Sequence, residues 1–334
     1  MKDLLIDVKD IIKIKNLQFF KLENNMKQKI ELLIDSKYLC YRTLTTQFNL
    51  THNEVRTGVH YGFFSTLISL KKKFKADNII LMWDSDRSYR REIYPEYKQK
   101  RYGQTNKNVV QQIRIIKEES ENIRKEYNKL GFASYLQNGM EADDLFALYT
   151  IKHLKNPKLK IIIVTGDEDI YQLLFEDRVL IYNPKTKKLL TEDWFINNYG
   201  IAPSDWANVK SIGGCKSDNI IGIEGIGQKT AIKYIKGEQI PERKENLIED
   251  NEEKIEFFLR LTRLPFYTLQ NQNPTLGKLK RNRRMLKKQT SIDIDYFVEY
   301  CQDRGFRSFL KKLTFINKLF DGYKDKPFRN IRYK

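Results

Sequence analysis

Histidine and cysteine are scarce in this chain, three of each among 334 residues. Cys40, Cys215 and Cys301 are odd in number and dispersed, which argues against a disulfide framework and against a zinc site, so all three are expected to be reduced. His52, His60 and His153 are too few to suggest imidazole-based catalysis or ligation and read as structural residues. No apolar run reaches the roughly 18 residues that a spanning helix needs, and no secretory signal pattern is present. A soluble, cytoplasmic, monomeric protein with no membrane partner is expected.

Negative charge is the minority sign: 43 Asp and Glu stand against 61 Lys and Arg, a formal net charge of +18. The acids are concentrated in a few motifs, so the remaining surface is more basic than the average. That favours a polyanionic partner, nucleic acid ahead of an anionic membrane.

The densest acidic motif is Gly139-Met140-Glu141-Ala142-Asp143-Asp144, directly before an apolar run (Leu145, Phe146, Leu148, Ile151, Leu154) that reads as one side of a buried helix. Alone, acids in a first helical turn are explained by the helix dipole. Three further segments change that reading: Leu32-Leu33-Ile34-Asp35, Ile79 to Trp83-Asp84, and Ile161 to Thr165-Gly166-Asp167-Glu168-Asp169. Each is an apolar run suited to a strand buried on both faces of a parallel sheet, and each ends in aspartate. In open α/β sheets the ligand crevice lies beyond the carboxyl ends of the strands. Asp35, Asp84, Asp167 and Asp169 would converge there with Glu141, Asp143 and Asp144. Carboxylates so crowded repel unless cations sit among them. Oxygen-only ligation selects hard divalent ions, Mg²⁺ or Mn²⁺, and two such ions suit in-line displacement at phosphorus. The chemistry implied is a metal-dependent phosphodiesterase.

Along the chain, residues 1–30 form an extension of unclear role. Leu-Leu-Ile-Asp occurs twice, ending at Asp7 and at Asp35, and only the second is followed by a segment able to start a helix, so Asp35 is taken as the site residue. Val55 to Lys75 reads as a sheet-covering helix. Arg87 to Tyr102 alternates basic residues with tyrosines, including Arg90, Arg91, Lys98, Lys100 and Arg101, a combination that grips phosphates and stacks bases. An amphipathic helix with Val109, Ile113, Ile116, Ile123, Tyr127 and Leu130 as its stripe follows. Later, Gly222, Gly225 and Gly227 precede Lys229 and Thr230 in a segment that leaves backbone N–H groups open to a phosphate.

In these motifs the sequence resembles the 5′-nuclease superfamily: flap endonucleases, the 5′-nuclease domain of bacterial DNA polymerase I, and bacteriophage exonucleases and ribonuclease H proteins. The resemblance rests on Leu-Ile-Asp35, Trp-Asp84, Tyr94-Pro-Glu-Tyr-Lys98-x-x-Arg101, Glu141-Ala-Asp143-Asp144, Thr-Gly-Asp167-x-Asp169, and Ser217-Asp218-Asn219 followed by Gly222 to Ala231. It implies an α/β fold, a central mainly parallel sheet flanked by helices in a PIN-like core over 31–200. A helical arch would span about 88–130, and a helix-three-turn-helix with further DNA-binding helices would fill 201–334.

By the same resemblance, Asp35, Asp84, Glu141 and Asp143 would hold one Mg²⁺, with Asp144, Asp167, Asp169 and Asp218 around a second, and Mn²⁺ able to substitute. Lys98 and Arg101 would contact the scissile phosphate, with Asp143 central to catalysis, while Gly222 to Thr230 would grip duplex backbone with a K⁺ ion on loop carbonyls. The implied substrates are DNA and RNA–DNA duplexes with 5′ ends or flaps, with replication proteins as partners.

Cys215 departs from the pattern, standing where the family often has aspartate. It reads either as a small buried residue or as a poor Mg²⁺ donor that weakens the second site. The latter leaves room for a structure-specific DNA-binding scaffold with impaired nuclease activity. Lys278 to Lys288, with seven basic residues, is expected to contact duplex, and the apolar residues of Tyr296 to Phe320 to pack back on the core.

Overall fold

The computed structural model describes residues 28–47, 49–99, 106–266 and 291–321. Most of the leading extension, Lys100, Arg101 and the basic run Lys278 to Lys288 lie outside them.

Six strands form one sheet in the order β5-β4-β1-β6-β7-β8. These are β1 (Lys29–Asp35), β4 (Asn78–Trp83), β5 (Ala133–Leu136), β6 (Leu159–Val164), β7 (Val179–Asn183) and β8 (Lys188–Leu190). All neighbours are parallel except β7 and β8. The apolar runs alternate between two cores. Leu32, Ile34, Ile79, Leu81, Trp83, Ile162 and Val164 face one, and Leu33, Ile80, Met82, Ile161 and Ile163 face the other. Burial on both faces is why these strands lack the polar alternation of a half-exposed sheet.

The first face is covered by α1 (Ser36–Thr46), α2 (Gly58–Phe74) and the second half of α4 (Lys107–Lys129). The opposite face carries α5 (Ala142–His153), a 3-10 turn (Glu168–Leu173), α6 (Glu192–Tyr199), α7 (Trp206–Gly213), α8 (Gln228–Ile235), α9 (Glu242–Glu249) and α10 (Glu252–Thr262). A short α3 (Tyr89–Ile93) lies between β4 and α4. Beyond residue 291 come α11 (Ile294–Asp303), α12 (Arg307–Leu310) and α13 (Leu313–Asp321). These last helices return to the first face, where Phe297, Tyr300, Phe306, Phe309 and Phe320 join the core. The described residues after 200 therefore divide between both faces rather than forming one appended unit.

Two local readings change. Val55 and Arg56 belong to a tight hairpin, β2 (Thr51–His52) with β3 (Val55–Arg56), because Asn53 and Glu54 adopt positive φ (48° and 64°), the twist that a two-residue hairpin loop requires. In α4 only the later part of the apolar stripe is buried: Ile116, Ile123 and Tyr127 pack on the core, whereas Val109 is half-buried and Ile113 exposed.

From β1 the chain moves outward through β4 to β5, then crosses to the other side of β1 to lay down β6 and β7. The strand order thus reverses between β1 and β6, and the carboxyl ends of these strands are where an open α/β sheet holds its ligand.

Candidate metal and phosphate centre

Asp35 closes β1 and caps α1, accepting from the Tyr38 N–H at 3.0 Å and from the Thr165 hydroxyl, at the end of β6, at 2.9 Å. Gly166 makes the juncture possible, since a Cβ there would sit 2.7 Å from the Tyr38 ring. Asp167 caps the following 3-10 turn, accepting from the Asp169 N–H at 2.9 Å. Asp84, just past β4, accepts from the Ala142 N–H at 2.8 Å, so it sits at the positive end of α5. Lys37 reaches its other oxygen at 3.5 Å. Glu141 is the N-cap of α5, and Asp143 lies in its first turn.

Tyr97 and Lys98 stand opposite. The Tyr97 hydroxyl lies 2.9 Å from Glu141 Oε2 and 3.2 Å from Asp218 Oδ2. The Lys98 ammonium donates to Glu141 Oε2 at 2.9 Å and lies 3.9 Å from Asp218 Oδ1. Lys98 holds φ at +55°, a conformation unfavourable for an L-residue, while its N–H is bonded to the Asp218 carbonyl at 2.9 Å. Beyond Asp218, Asp169 is paired with the buried Lys210 at 3.1 Å. The ligand atoms of Asp169, Cys215 and Asp218 lie within 4.8 Å of one another.

The charges are unevenly balanced. Burial and the neighbouring Asp84 push Asp35 up to about 7. Burial and Asp167 push Asp169 up to about 7, despite Lys210. Asp143 is raised well above the ordinary carboxylate range by burial and by Asp167, and no side-chain hydrogen bond reaches it among the described residues. Burial also pushes Glu141 upward, but Lys98 and Arg90 outweigh it and hold the carboxyl at about 2. Repelling carboxylates with too few cations among them, and oxygen as the main donor, fit hard divalent ions.

Two expected site residues are corrected. Asp144 is fully buried, and each of its oxygens is engaged twice: Oδ1 by Arg90 Nη2 (2.7 Å) and the Phe266 N–H (2.9 Å), Oδ2 by Arg90 Nη1 (2.7 Å) and the Glu141 N–H (3.0 Å). With each oxygen engaged twice, Asp144 stands in a buried ion pair rather than open to a cation. Arg90 is consumed in the same pair and leaves the DNA-facing set. Of the described tyrosines near it, Tyr97 is buried, and Tyr89 and Tyr94, half-buried, pack with Phe257, Phe258, Leu261 and Phe266 in a satellite core, while Tyr102 lies outside the described residues. Arg91 remains on the exposed side of α3.

Among the glycines, Gly222 has φ +63° and its missing Cβ would meet Gly214 N at 2.4 Å, so its role is close backbone packing. Gly225 and Gly227 have open space where a Cβ would stand, beside the exposed Lys229 and the half-buried Thr230. Sequence reasoning missed Lys37, Tyr97, Thr165 and Lys210. Tyr97 and Thr165 stand within the Tyr94-Pro-Glu-Tyr-Lys98 and Thr165-Gly166-Asp167 motifs, and Lys210 is the one charged residue of the Trp206-Ala207-Asn208-Val209-Lys210-Ser211-Ile212 helix. Cys215 is buried, with Sγ 3.0 Å from the Ser217 hydroxyl and 3.9 Å from Asp169 Oδ2, and burial with Asp169 pushes its thiol up to about 11.

Comparison with known proteins identifies the family and the fold. Residues 31–200 match the model of the 5′-3′ exonuclease N-terminal resolvase-like domain. The chain is 33% identical over 207 residues to the thermostable DNA polymerase I of Thermus thermophilus, covering 61% of this chain and 24% of that protein. It is 32% identical over 211 residues to the DNA polymerase I of Mycobacterium bovis, covering 61% and 22%. It thus spans about a quarter of the length of these relatives. Among solved structures, the bacteriophage T5 flap endonuclease in a pseudo-enzyme–product complex with DNA and metal ions superposes with a TM-score of 0.60 at 21% identity, covering 87% of this chain and 100% of that one. Flap endonuclease-1 from Methanococcus jannaschii superposes with a TM-score of 0.53 at 16% identity, covering 88% and 93%. At these identities the two structures attest the fold. With half of the chain inside the matched model, the protein belongs to the 5′-3′ exonuclease N-terminal, resolvase-like domain family.

Proposed function

We propose that this protein is a divalent-metal-dependent, structure-specific 5′ nuclease that cuts phosphodiester bonds near the 5′ ends of DNA or RNA–DNA duplexes during replication and repair. The observation that carries the reading is the gathering of Asp35, Asp84, Glu141, Asp143, Asp167, Asp169 and Asp218 at the strand-order reversal, with the Lys98 ammonium among them. The 5′-3′ exonuclease family match and the structurally similar T5 enzyme, seen with DNA and metal ions, support it.

Asp35, Asp84, Glu141 and Asp143 would hold one Mg²⁺ or Mn²⁺, and Asp167, Asp169 and Asp218 a second. Bound there, divalent cations would supply Lewis-acid neutralisation of phosphate charge and ease deprotonation of water. The chain's own residues do the rest. Lys98, anchored through its backbone to Asp218, directs a positive charge at the position of the scissile phosphate, where it stabilises charge developing in the transition state. Tyr97 keeps its proton, being buried beside Glu141, and so holds Glu141 and Asp218 as a donor. Arg91, Gly225, Gly227, Lys229 and Thr230 would contact the phosphate backbone, with Lys100 and Arg101, which lie outside the described residues, as further phosphate contacts and K⁺ serving the glycine-rich loop.

Cleavage of a 5′-labelled flap duplex and of a matched RNA–DNA hybrid tests this, in Mg²⁺ and in chelator, with wild type and Asp143→Asn. The expected result is metal-dependent cutting that the substitution abolishes while DNA binding persists. A second reading, a branch-binding scaffold with impaired chemistry, draws on one observation, the Cys215 thiol within the Asp169 and Asp218 group. Tight branch-specific binding without cutting in either Mg²⁺ or Mn²⁺ would establish that reading and overturn the first.

A further inference from the structure

Arg90 and Asp144 are set aside by the chemistry above, yet they form a buried pair, 2% and 0% exposed, at the meeting point of three segments. Burying two ions is costly, and an apolar substitute of the same shape is often as stable, so stability alone is a weak reason for the pair. Its geometry gives a better one. The guanidinium, on α3, forks onto the Asp144 carboxylate with both distances at 2.7 Å, and its Nε donates to the Leu261 carbonyl of α10 at 2.9 Å. Asp144 receives the Glu141 N–H from the entrance of α5 and the Phe266 N–H from the chain leaving α10. The same Arg90 Nη1 lies 3.5 Å from the Glu141 carboxylate.

From α10 the contacts continue. The Thr262 hydroxyl donates to the Ala207 carbonyl of α7 at 3.1 Å, and the Ile223 N–H in the glycine-rich loop donates to the Ile212 carbonyl at the end of α7 at 2.8 Å. Hydrogen-bonded and packed elements therefore run from the carboxylates at the mouth of α5, through Arg90 and α10, to the loop that opens α8.

We propose that the Arg90–Asp144 pair is a positioning element that fixes the distance between the carboxylate centre and the duplex-holding loop, and thereby selects the nucleotide at which the strand is cut. The inference rests on the nuclease reading and on duplex contact by Gly225 to Thr230. A bidentate fork admits one relative orientation of its two partners, whereas a lysine ammonium tolerates many, so Arg90→Lys keeps the charge and loses the ruler. Misplacing a reacting group by an ångström costs on the order of 10²-fold in rate.

The test uses the full chain as wild type, Arg90→Lys, and the double variant Arg90→Met with Asp144→Asn, which removes both charges while the Asn oxygen still accepts one of the two backbone N–H groups. Circular dichroism establishes which variants fold, and the double variant decides if the single one does not. Three quantities are read on a 5′-flap duplex: affinity in chelator, single-turnover rate in Mg²⁺ at saturating DNA, and cut position at nucleotide resolution. The expected result is near-wild-type affinity, a rate lower by about 10- to 100-fold, and cuts spread onto neighbouring nucleotides.

A readout independent of cutting is the distance from Mn²⁺ in the carboxylate centre to a nitroxide on Lys233→Cys, an exposed α8 position that labels selectively because Cys40, Cys215 and Cys301 are buried. That distance should shift or broaden in the variants. An unchanged distance with wild-type cut position in a folded variant overturns the proposal. Affinity falling in parallel with rate makes Arg90 a DNA ligand instead, which also overturns it. A wild type that does not cut refutes the nuclease reading, with the Mn²⁺–nitroxide distance still judging the ruler.

Discussion

The Thr165 hydroxyl donates to Asp35 Oδ2 at 2.9 Å across the seam between β6 and β1, the two strands at which the sheet order reverses. The bond orients a carboxylate that burial and Asp84 otherwise drive toward protonation. Thr165→Val keeps the shape and deletes the donor. A single such bond contributes about 1 kcal/mol, so the Mg²⁺ concentration giving half-maximal cleavage should rise by about fivefold with little change in the thermal midpoint. A metal titration of cleavage checks this, and an unchanged midpoint concentration would show that Asp35 is oriented without Thr165.

The pH dependence of stability follows from the same crowding. Asp35 and Asp169 titrate at about 7 in the folded chain, well above the ordinary carboxylate value, so between pH 4 and 7 the folded state keeps protons that the unfolded state has released. In chelator the thermal midpoint should therefore fall as pH rises through that window. Glu141 acts in the opposite sense: held at about 2, it stabilises above its ordinary value and loses that contribution as pH drops toward 2. Adding Mg²⁺ at pH 7.5 should recover much of the lost midpoint. Melting curves over pH 3 to 8, with and without Mg²⁺, decide it, and a midpoint in chelator that rises from pH 5 to 7 would contradict the crowding.

Lys98→Ala removes the ammonium beside Glu141 and Asp218. Loss of one such charge-stabilising group costs on the order of 10²- to 10³-fold in turnover. Single-turnover rate should drop by that amount with duplex affinity nearly retained, and equal losses in both would give Lys98 a general binding role.

Cys215→Asp replaces a thiol that burial keeps protonated with a hard oxygen donor beside Asp169 and Asp218. Calorimetry should show tighter Mg²⁺ binding, while the metal-free protein, carrying one more crowded carboxylate, should melt at a lower temperature. Unchanged Mg²⁺ affinity would make Cys215 a packing residue alone.

Binding to duplex should weaken as salt rises, because a chain with net charge +18 releases counterions from the phosphates it contacts. Fluorescence anisotropy from 50 to 200 mM salt in chelator measures the slope, and a flat affinity would remove the electrostatic reading.

What the sequence by itself determined was the sheet and the placing of aspartates at its strand ends. A run such as Leu32-Leu33-Ile34-Asp35 carries both messages locally: continuous apolar residues require burial on two faces, and an acid at the strand's end must face the crevice. Alternating burial of Leu33 against Leu32 and Ile34 is the direct outcome of strand geometry. Tertiary structure decided how the charges are partnered. Asp144 and Asp143 are adjacent in the same first helical turn, and the local difference between them is the capping box, in which Asp144 accepts the Glu141 N–H. The arrival of Arg90 from 54 positions away, and of the Phe266 N–H from 122, completes the engagement of the one, while no side-chain hydrogen bond reaches the other among the described residues. Lys210 and Asp169 meet in the same way, across 41 positions of chain. Such pairings depend on distance in space and on desolvation, and neither is written in the spacing of residues along the chain.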